Sequence, residues 1–333
     1  MIKTALLLLT AGLALTAGGA RAQAFLPKPA DDAPELALLE IKPLVVLLQV
    51  PDEKQLRKLA HKPADLTQYQ AYLAQYNAQL KELVPRLWKF SSAVEFRPET
   101  DYETLRKDRE NRTPVLRYRE LDLSKYRRPG SGSFGKPAVS LGSGLAGEMQ
   151  LCVVGRNKEK TVKSEPVPVG AMYASDIISA LRSLQADLKI TAAQAAHQLS
   201  YGQEQAADMI RLIKATKLLQ TKILLLNQAE LQDNLSPADI ARFYPYPFEV
   251  VSLATIEAAV LAGDAPYTHA RRMAVIGAEG PAILDVATGY RIVYEESELG
   301  IGEKQFRKFA DYAFVSDREI KRLGRLEKMV AGN

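Results

Sequence analysis

Two segments of the sequence show secondary-structure signals in the same order, and each begins with a short apolar run. The first run covers residues 44–50 and the second covers residues 222–226. Short runs rich in Leu, Val and Ile are typical of strands buried on both faces of a sheet. The patterns after each run predict a β-α-β-α-β-β-α domain. We therefore expect the α/β (α+β) class, with two domains that each contain a mixed sheet flanked by helices.

The first domain is predicted at 25–190. Apolar residues between 66 and 88 recur at steps of three and four, which is typical of an amphipathic helix. The other predicted elements are strands at 93–96, 114–118 and 149–154 and helices at 102–109 and 175–188. The Gly/Ser-rich stretch 129–147 indicates a mobile loop. It contains two G-x-G-x-x-G matches, but neither lies between a strand and a helix, as a dinucleotide site requires.

The second domain is predicted at 221–315. Ser236 and Pro237 fit the N-cap and first turn of a short helix, and Gly263 fits the end of the next one. Residues 191–220 predict a helical linker that begins with a capping box at Thr191, and residues 316–333 predict a C-terminal helix. The other predicted elements are strands at 248–252, 273–276, 282–286 and 290–294 and helices at 254–262 and 303–314.

Residues 1–24 have the layout of a secretory signal peptide. Lys3 gives a positive start, an apolar run follows, and Ala22-Gln23-Ala24 forms a small-x-small cleavage site before Phe25. The apolar run is too short for a membrane span, which needs roughly 20 residues. No cysteine follows the cleavage site. We therefore expect a soluble exported protein, periplasmic or secreted, and not a lipoprotein.

Charge and cysteine content argue against several classes of protein. The net charge is +5 and falls to +3 without Lys3 and Arg21, a surplus too small to indicate a nucleic-acid binder. The single cysteine, Cys152, lies among apolar residues and predicts a buried, unreactive thiol. None of the three histidines has a partner at metal-ligand spacing. We expect no metal site, no cofactor and no transmembrane span.

Basic residues concentrate between positions 106 and 128. One interpretation is that they are solvated positions on a helix end, a strand and a loop. The other is a surface for an anionic partner, such as a lipid head group or a cell-wall polymer. The candidate contact residues on that surface are Arg112, Arg117, Arg119, Arg127 and Arg128.

Aromatic residues are dense just before the strand predicted at 248–252. They are Phe243, Tyr244, Tyr246 and Phe248, and two prolines between them hold the segment extended. The segment therefore predicts a rigid entry to the strand. If its rings were exposed, they would form a platform for a peptide or a glycan.

The sequence favours a protein that is not an enzyme. It contains neither a Gly-x-Ser-x-Gly motif nor a Cys-x-x-Cys motif. An exported hydrolase would need a site assembled from scattered residues, and His269 and Asp285 are the candidates for such a site.

In the second domain, strand 248–252 runs into helical residues 256–260, residues 274–277 end in Gly, and the hairpin 283–289 contains Asp-x-x-Thr-Gly. This stretch resembles the α/β domain shared by the N-terminal part of TolB and the curli secretion protein CsgG. The resemblance implies an envelope adaptor, activator or assembly factor that binds proteins. The chain lacks the anchoring cysteine of many CsgG-like members and a pair of membrane-spanning hairpins, so a secretion pore is not expected.

The same order of elements is also similar to a thioredoxin-like domain. Thr113-Pro114 would then stand where that fold keeps its cis-proline, and the missing Cys-x-x-Cys implies a domain without redox activity. The functional expectation is an exported envelope protein that binds a protein partner. A module that binds a glycan, an anionic polymer or a small ligand is the alternative. Edge strands, the basic stretch and the aromatic segment are the predicted contact surfaces.

Overall fold

The computed structural model describes residues 33–122, 145–167, 172–196, 201–231, 235–275, 278–294, 301, 303–313, 325–328 and 330. The predicted signal peptide, most of the Gly/Ser-rich loop and most of the predicted C-terminal helix lie outside these residues. The described chain forms two units, each a five-stranded mixed sheet with helices on both faces. The predicted fold class is therefore confirmed.

The first unit is built on a sheet of order β2-β1-β3-β4-β5. Strands β2 and β3 run parallel to β1, while β4 and β5 are antiparallel to their neighbours. The strands are β1 (Leu44–Leu48), β2 (Val94–Pro98), β3 (Thr113–Asp122), β4 (Leu145–Gly155) and β5 (Lys158–Val167). The helices are α1 (Ala33–Ile41), α2 (Glu53–Leu59), α3 (Pro63–Leu87), α4 (Tyr102–Lys107) and α5 (Ala174–Ala196).

The second unit repeats this topology, with the sheet order β7-β6-β8-β9-β10. Strands β7 and β8 run parallel to β6, and β9 and β10 are antiparallel to their neighbours. The strands are β6 (Ile223–Asn227), β7 (Phe248–Val251), β8 (Tyr267–Val275), β9 (Ala278–Asp285) and β10 (Arg291–Tyr294). The helices are α6 (Tyr201–Lys217), α7 (Pro237–Phe243), α8 (Leu253–Ala262) and α9 (Glu303–Ala313).

Each sheet has one face covered by three helices of its own unit and one face covered by a single crossover helix. In the first unit, α1, α3 and α5 pack on the face that carries Val46 and Leu116, and α4 packs through Leu105 on the opposite face. In the second unit, α6, α7 and α9 pack on one face and α8 packs on the other. We call these the three-helix face and the single-helix face.

The units stack with the three-helix face of the first against the single-helix face of the second. One continuous core joins Leu181 of α5 to Val260 of α8 and Leu225 of β6. Arg182 of α5 also donates hydrogen bonds to the carbonyl oxygens of Val260 at 2.6 Å and Val286 at 2.9 Å. Helices α5 and α8 therefore lie between the two sheets, and β8 also contacts β4 and β5 directly.

Several elements differ from the sequence patterns. Strand β5 and helices α1 and α2 were not predicted, so the first unit has one more strand than the expected β-α-β-α-β-β-α order. The second unit has five strands, one for each run predicted there. Strand β5 is largely polar because it lies at the sheet edge, with only Val162 and Val167 buried. Helix α5 continues through Thr191, whose hydroxyl donates to the Asp187 carbonyl oxygen at 2.9 Å, so no capping box begins there.

Three local predictions are confirmed. Ser236 and Asp239 form a reciprocal capping box at the start of α7. Gly263 ends α8 in the left-handed conformation, with φ of 74°. Cys152 is fully buried, and burial raises the pKa of its thiol to about 12. The described peptide bonds are all trans, including that between Thr113 and Pro114.

Candidate functional site

Two basic stretches of the first unit meet at one end of its sheet, where β1 and β3 begin. The β4–β5 turn lies against the loop that follows α4. The Arg156 N–H donates to the Asp108 carbonyl oxygen at 2.5 Å, and the Asn157 N–H donates to the Arg106 carbonyl oxygen at 2.9 Å. Residues far apart in the sequence are thereby held on one surface.

Glu35 ties α1 to the same end of the sheet. Its buried carboxylate contacts Arg112 and accepts a hydrogen bond from the Lys160 ammonium group at 2.8 Å. Burial by itself would raise the pKa of Glu35. The hydrogen bonds and charges of Lys160 and Arg112 together outweigh burial and hold this pKa below its ordinary value. Lys42 completes the connection by donating to the Arg112 carbonyl oxygen at 2.9 Å.

A groove of about 340 Å³ opens beside these contacts. Its volume lies within the range of small-ligand pockets, about 300–1,000 Å³. The apolar residues that line it are Pro43, Val45, Leu105 and Pro114, and the polar residues are Lys42, Glu95, Arg97, Asp108, Asn111 and Thr113. Val45 and Leu105 are buried and give the groove an apolar floor.

Both carboxylates in the groove already have partners within the protein. The Asp108 carboxylate accepts hydrogen bonds from the backbone N–H groups of Asn111 at 3.0 Å and Glu110 at 2.8 Å. These bonds hold the pKa of Asp108 below its ordinary value. Glu95 forms an ion pair with Arg97 at 3.1 Å. The Glu95 charge is therefore balanced by Arg97, whereas Asp108 is stabilised as an ionised carboxylate by backbone N–H groups.

Basic residues are frequent on the segments that meet beside the groove, and we call them the basic rim. They are Lys42, Arg106, Lys107, Arg109, Arg112, Arg156, Lys158 and Lys160. Arg109 and Arg156 are exposed, and their side chains make no hydrogen bond or ion pair with other described residues. Their two positive charges are therefore not balanced by an ion pair within the described part of the chain.

The β4–β5 turn holds Arg156 in an unusual conformation. Arg156 and Asn157 have φ of 56° and 58°, as in a two-residue type I′ hairpin turn. Such turns favour Asn, Asp and Gly, because a side chain with a Cβ atom is strained at positive φ. Gly155, with φ of 138°, is required beside them, since a Cβ atom there would lie 2.1 Å from the Asn111 carbonyl oxygen.

The arginines singled out in the sequence have different environments. Arg112 belongs to the basic rim. Arg117 is largely buried on β3, where it donates to Gln150 at 2.8 Å and Glu159 at 3.0 Å. It also lies 4.0 Å from the centre of the Tyr102 ring. Arg119 is more exposed and is 3.8 Å from Glu148. The other two residues, Arg127 and Arg128, lie outside the described residues.

The aromatic segment packs into the second unit. Tyr244 is fully buried, and its hydroxyl donates to the Leu219 carbonyl oxygen at 3.1 Å. Its ring contacts those of Tyr246 and Phe248 at centroid distances of 5.4 and 6.5 Å. Phe243, Tyr246 and Phe248 are half-buried. This packing fits the predicted rigid entry to β7 and leaves only part of three rings exposed.

Asp285 holds the turn between β9 and β10. Its carboxylate pairs with Lys222 and accepts a hydrogen bond from the Thr288 hydroxyl at 2.7 Å. Gly289 follows with φ of 70°, and a Cβ atom there would lie 2.1 Å from the Ser179 carbonyl oxygen in α5. The Asp-x-x-Thr-Gly hairpin therefore shapes the surface that meets the first unit.

His269 is buried on β8, on the face that meets the first unit. Its side chain is 1% exposed, and neither ring nitrogen has a hydrogen-bond partner among the described residues. Burial lowers its pKa to about 4, with the charge of Arg271 adding to the decrease and Asp285 opposing it. A neutral, buried imidazole at this position has no exposed surface on which to meet a substrate.

An ion cluster beside His269 joins the units. Arg271 donates to the Asp176 carboxylate at 2.9 and 3.2 Å and also contacts Glu230. The Tyr173 ring lies 4.9 Å from the guanidinium carbon. Arg271 and Asp176 are both buried, with 12% and 2% of their side chains exposed. The cluster is part of the contact between units.

Comparison with protein-family models, curated proteins and solved structures found no match in any of the three. Within the described part of the chain, no helix has both the length and the apolar character needed to cross a membrane. The same residues include no group of three or more His, Cys, Asp or Glu side chains that could hold a metal ion.

Sequence reasoning found Arg112 and missed most of the groove. Lys42, Arg97 and Arg156 come from three separate segments, and their convergence depends on the sheet order. Besides the density of basic residues around Arg112, one local signal marks this place. The four residues Gly-Arg-Asn-Lys at 155–158 follow a strand pattern and precede a polar stretch, as in a hairpin turn.

Proposed function

We propose that this protein is exported to the cell envelope and acts there as a protein-binding adaptor or assembly factor. The observation that carries the proposal is the groove with its basic rim. It combines an apolar floor with exposed arginines that have no partner within the described chain. Such a surface is suited to binding, because a partner can bury apolar area in the groove and pair its charges with the arginines.

A role in binding rather than catalysis is supported by the positions of the two candidate hydrolase residues. His269 is buried between the units without a hydrogen-bond partner. Asp285 is committed to Lys222 and to the turn that contacts α5. Both positions are explained by packing.

The resemblance to the TolB and CsgG envelope domain points the same way. The described residues that carry it lie in β7, α8, β8 and the β9–β10 hairpin, so they belong to one unit. In the proposed function, the second unit supports the first, which carries the contact surface.

The export part of the proposal is tested by the N-terminus of the mature protein. The full chain with a C-terminal tag is produced in its own cells, the cells are fractionated, and the purified protein is sequenced from its N-terminus. We expect a chain that begins at Phe25 in the periplasmic or secreted fraction. An uncleaved chain that stays in the cytoplasm would refute export.

The adaptor part is tested by crosslinking the tagged protein in intact cells and identifying bound proteins by mass spectrometry. One envelope protein recovered reproducibly, and absent when an unrelated exported protein carries the tag, supports the proposal. A monomer without a partner rejects it. A glycan and small-ligand screen against the Phe243–Phe248 segment would then follow.

A further inference from the structure

The groove has an apolar floor and a basic rim, and this combination limits which partners can use both. The rim offers guanidinium and ammonium groups, which attract anions. The floor consists of Val45, Leu105, Pro43 and Pro114, of which Val45 and Leu105 are only 2% and 8% exposed. An apolar side chain placed on this floor therefore gains mainly by burying its own surface. A partner that uses both must carry negative charge beside an apolar side chain.

A lipid head group or a cell-wall polymer satisfies only half of this requirement. Such a polyanion would meet the rim by charge alone and would place no apolar group in the groove. A protein segment with acidic residues around a Leu, Ile or Phe satisfies both halves. Its carboxylates can also pair bidentately with arginine, and arginine supplies half of the rim.

We propose that the groove binds an acidic segment of a partner protein, an inference that rests on the proposed binding function. An apolar side chain of the segment covers Val45 and Leu105, and flanking carboxylates pair with Arg109 and Arg156. The strained turn at Arg156 supports this assignment, because an arginine stands where Asn or Gly would relieve strain.

The proposal is tested with two short fluorescent peptides and the mature protein, by fluorescence anisotropy. One peptide is built from Glu-Glu-Leu repeats and the other from Glu-Glu-Ser repeats, so both carry the same charge. We expect the Leu peptide to bind at least about fivefold more tightly, because only it covers the floor. Raising NaCl from about 50 to about 500 mM should weaken its binding about tenfold.

Two exposed rim positions provide the variants. The double substitution Arg109→Glu and Arg156→Asn should weaken binding of the Leu peptide about tenfold or more. The matched control is Lys54→Glu with Lys58→Asn, which changes the charge equally on exposed positions of α2. We expect the control to bind as the unsubstituted protein does. Both variants should have the same circular dichroism spectrum as the unsubstituted protein.

Three results would overturn the proposal. They are equal affinity for the Leu and Ser peptides, equal loss in rim and control variants, and binding to phosphatidylglycerol vesicles without binding to either peptide. The third result would identify a membrane surface instead. If the peptides fail but crosslinking in cells recovers a partner that tolerates the rim substitutions, only this inference fails. If the Leu peptide binds but cells yield no partner, the proposed function fails.

Discussion

Arg156 occupies a backbone conformation that arginine rarely adopts, and this gives a direct test of whether the residue costs stability. We predict that Arg156→Asn raises the free energy of unfolding by about 0.5–1 kcal/mol, because asparagine tolerates positive φ better. Urea denaturation followed by circular dichroism measures this change.

The control for this prediction is Lys158→Asn. It removes the same charge from an exposed position on β5, outside the two-residue turn. If both substitutions shift stability equally, the gain comes from charge and the idea of turn strain is wrong. Suppose that only Arg156→Asn raises the free energy of unfolding, and that the same variant binds the peptide more weakly. Arg156 would then be a binding residue that lowers the stability of the protein.

Gly289 combines a positive φ with a close approach to α5. Gly289→Ala should lower the free energy of unfolding by roughly 2–4 kcal/mol, since the new methyl group would meet the Ser179 carbonyl oxygen. The comparison is Gly202→Ala in α6, where no atom lies within 4 Å of the added Cβ. Thermal denaturation of the two variants should show a large decrease only for Gly289→Ala.

His269 makes stability depend on pH. The unfolded chain takes up a proton on this imidazole below about pH 6.5, whereas the folded protein does so only near its lowered pKa of about 4. Protonation of His269 therefore does not lower the free energy of unfolding above pH 6.5. Between pH 6.5 and 4 the free energy of unfolding falls, because only the unfolded chain takes up the proton. The gap between the two pKa values corresponds to about 3 kcal/mol.

The measurement is urea denaturation of the unsubstituted protein and of His269→Leu from pH 7.5 to 4. We expect the difference between them to shift by about 3 kcal/mol in favour of the variant across this range. Burial raises the pKa of Glu165 to about 7 against the charge of Arg291. Glu165 therefore adds stability as the pH falls, but it is present in both proteins and cancels. A constant difference would contradict the predicted pKa of His269.

Among the elements, α5 and β8 meet through an ion cluster whose loss should be costly. Arg271→Met should destabilise the protein by roughly 3–5 kcal/mol, because it leaves the Asp176 and Glu230 carboxylates facing a buried site without the guanidinium. Arg57→Met is the control, since Arg57 and Glu53 form an exposed pair at 3.7 Å. It should cost less than about 1 kcal/mol. Equal costs would show that the cluster is not energetically important.

The elements that could be predicted are those whose own residues carry a clear apolar pattern. Strands β1 and β6 are buried on both faces, and the stripe on α3 packs on one sheet, so their residues specify them. Strand β5 could not be predicted, because its ten residues are mostly polar and it is stabilised by pairing with β4. Thr191 looked like an N-cap, but packing of α5 between the sheets extends the helix past it.

The candidate site could be predicted only where basic residues are neighbours in sequence. That density pointed to Arg112 and the loop after α4. It pointed equally to Arg117, which the structure places in a polar network with Gln150 and Glu159. Charge density alone does not distinguish a rim residue from a residue between strands. The distinction requires knowing which face of β3 is covered by α4.

At the scale of the whole molecule, the shared core predicts one unfolding transition. Trp88 is the only tryptophan and is buried in the first unit. Its fluorescence should change at the same urea concentration as the far-ultraviolet circular dichroism, to which both units contribute. Two separate midpoints would show that the units unfold independently despite the core that joins them.

The stacking of the units also has a consequence for symmetry. A pair related by a two-fold axis joins like surfaces, because each partner presents the same patch to the other. Here unlike surfaces meet, since the three-helix face of the first unit covers the single-helix face of the second. The units are therefore not related by a two-fold axis. Successive repeats in a solenoid also meet through unlike surfaces, and the two ends of such a stack are never alike.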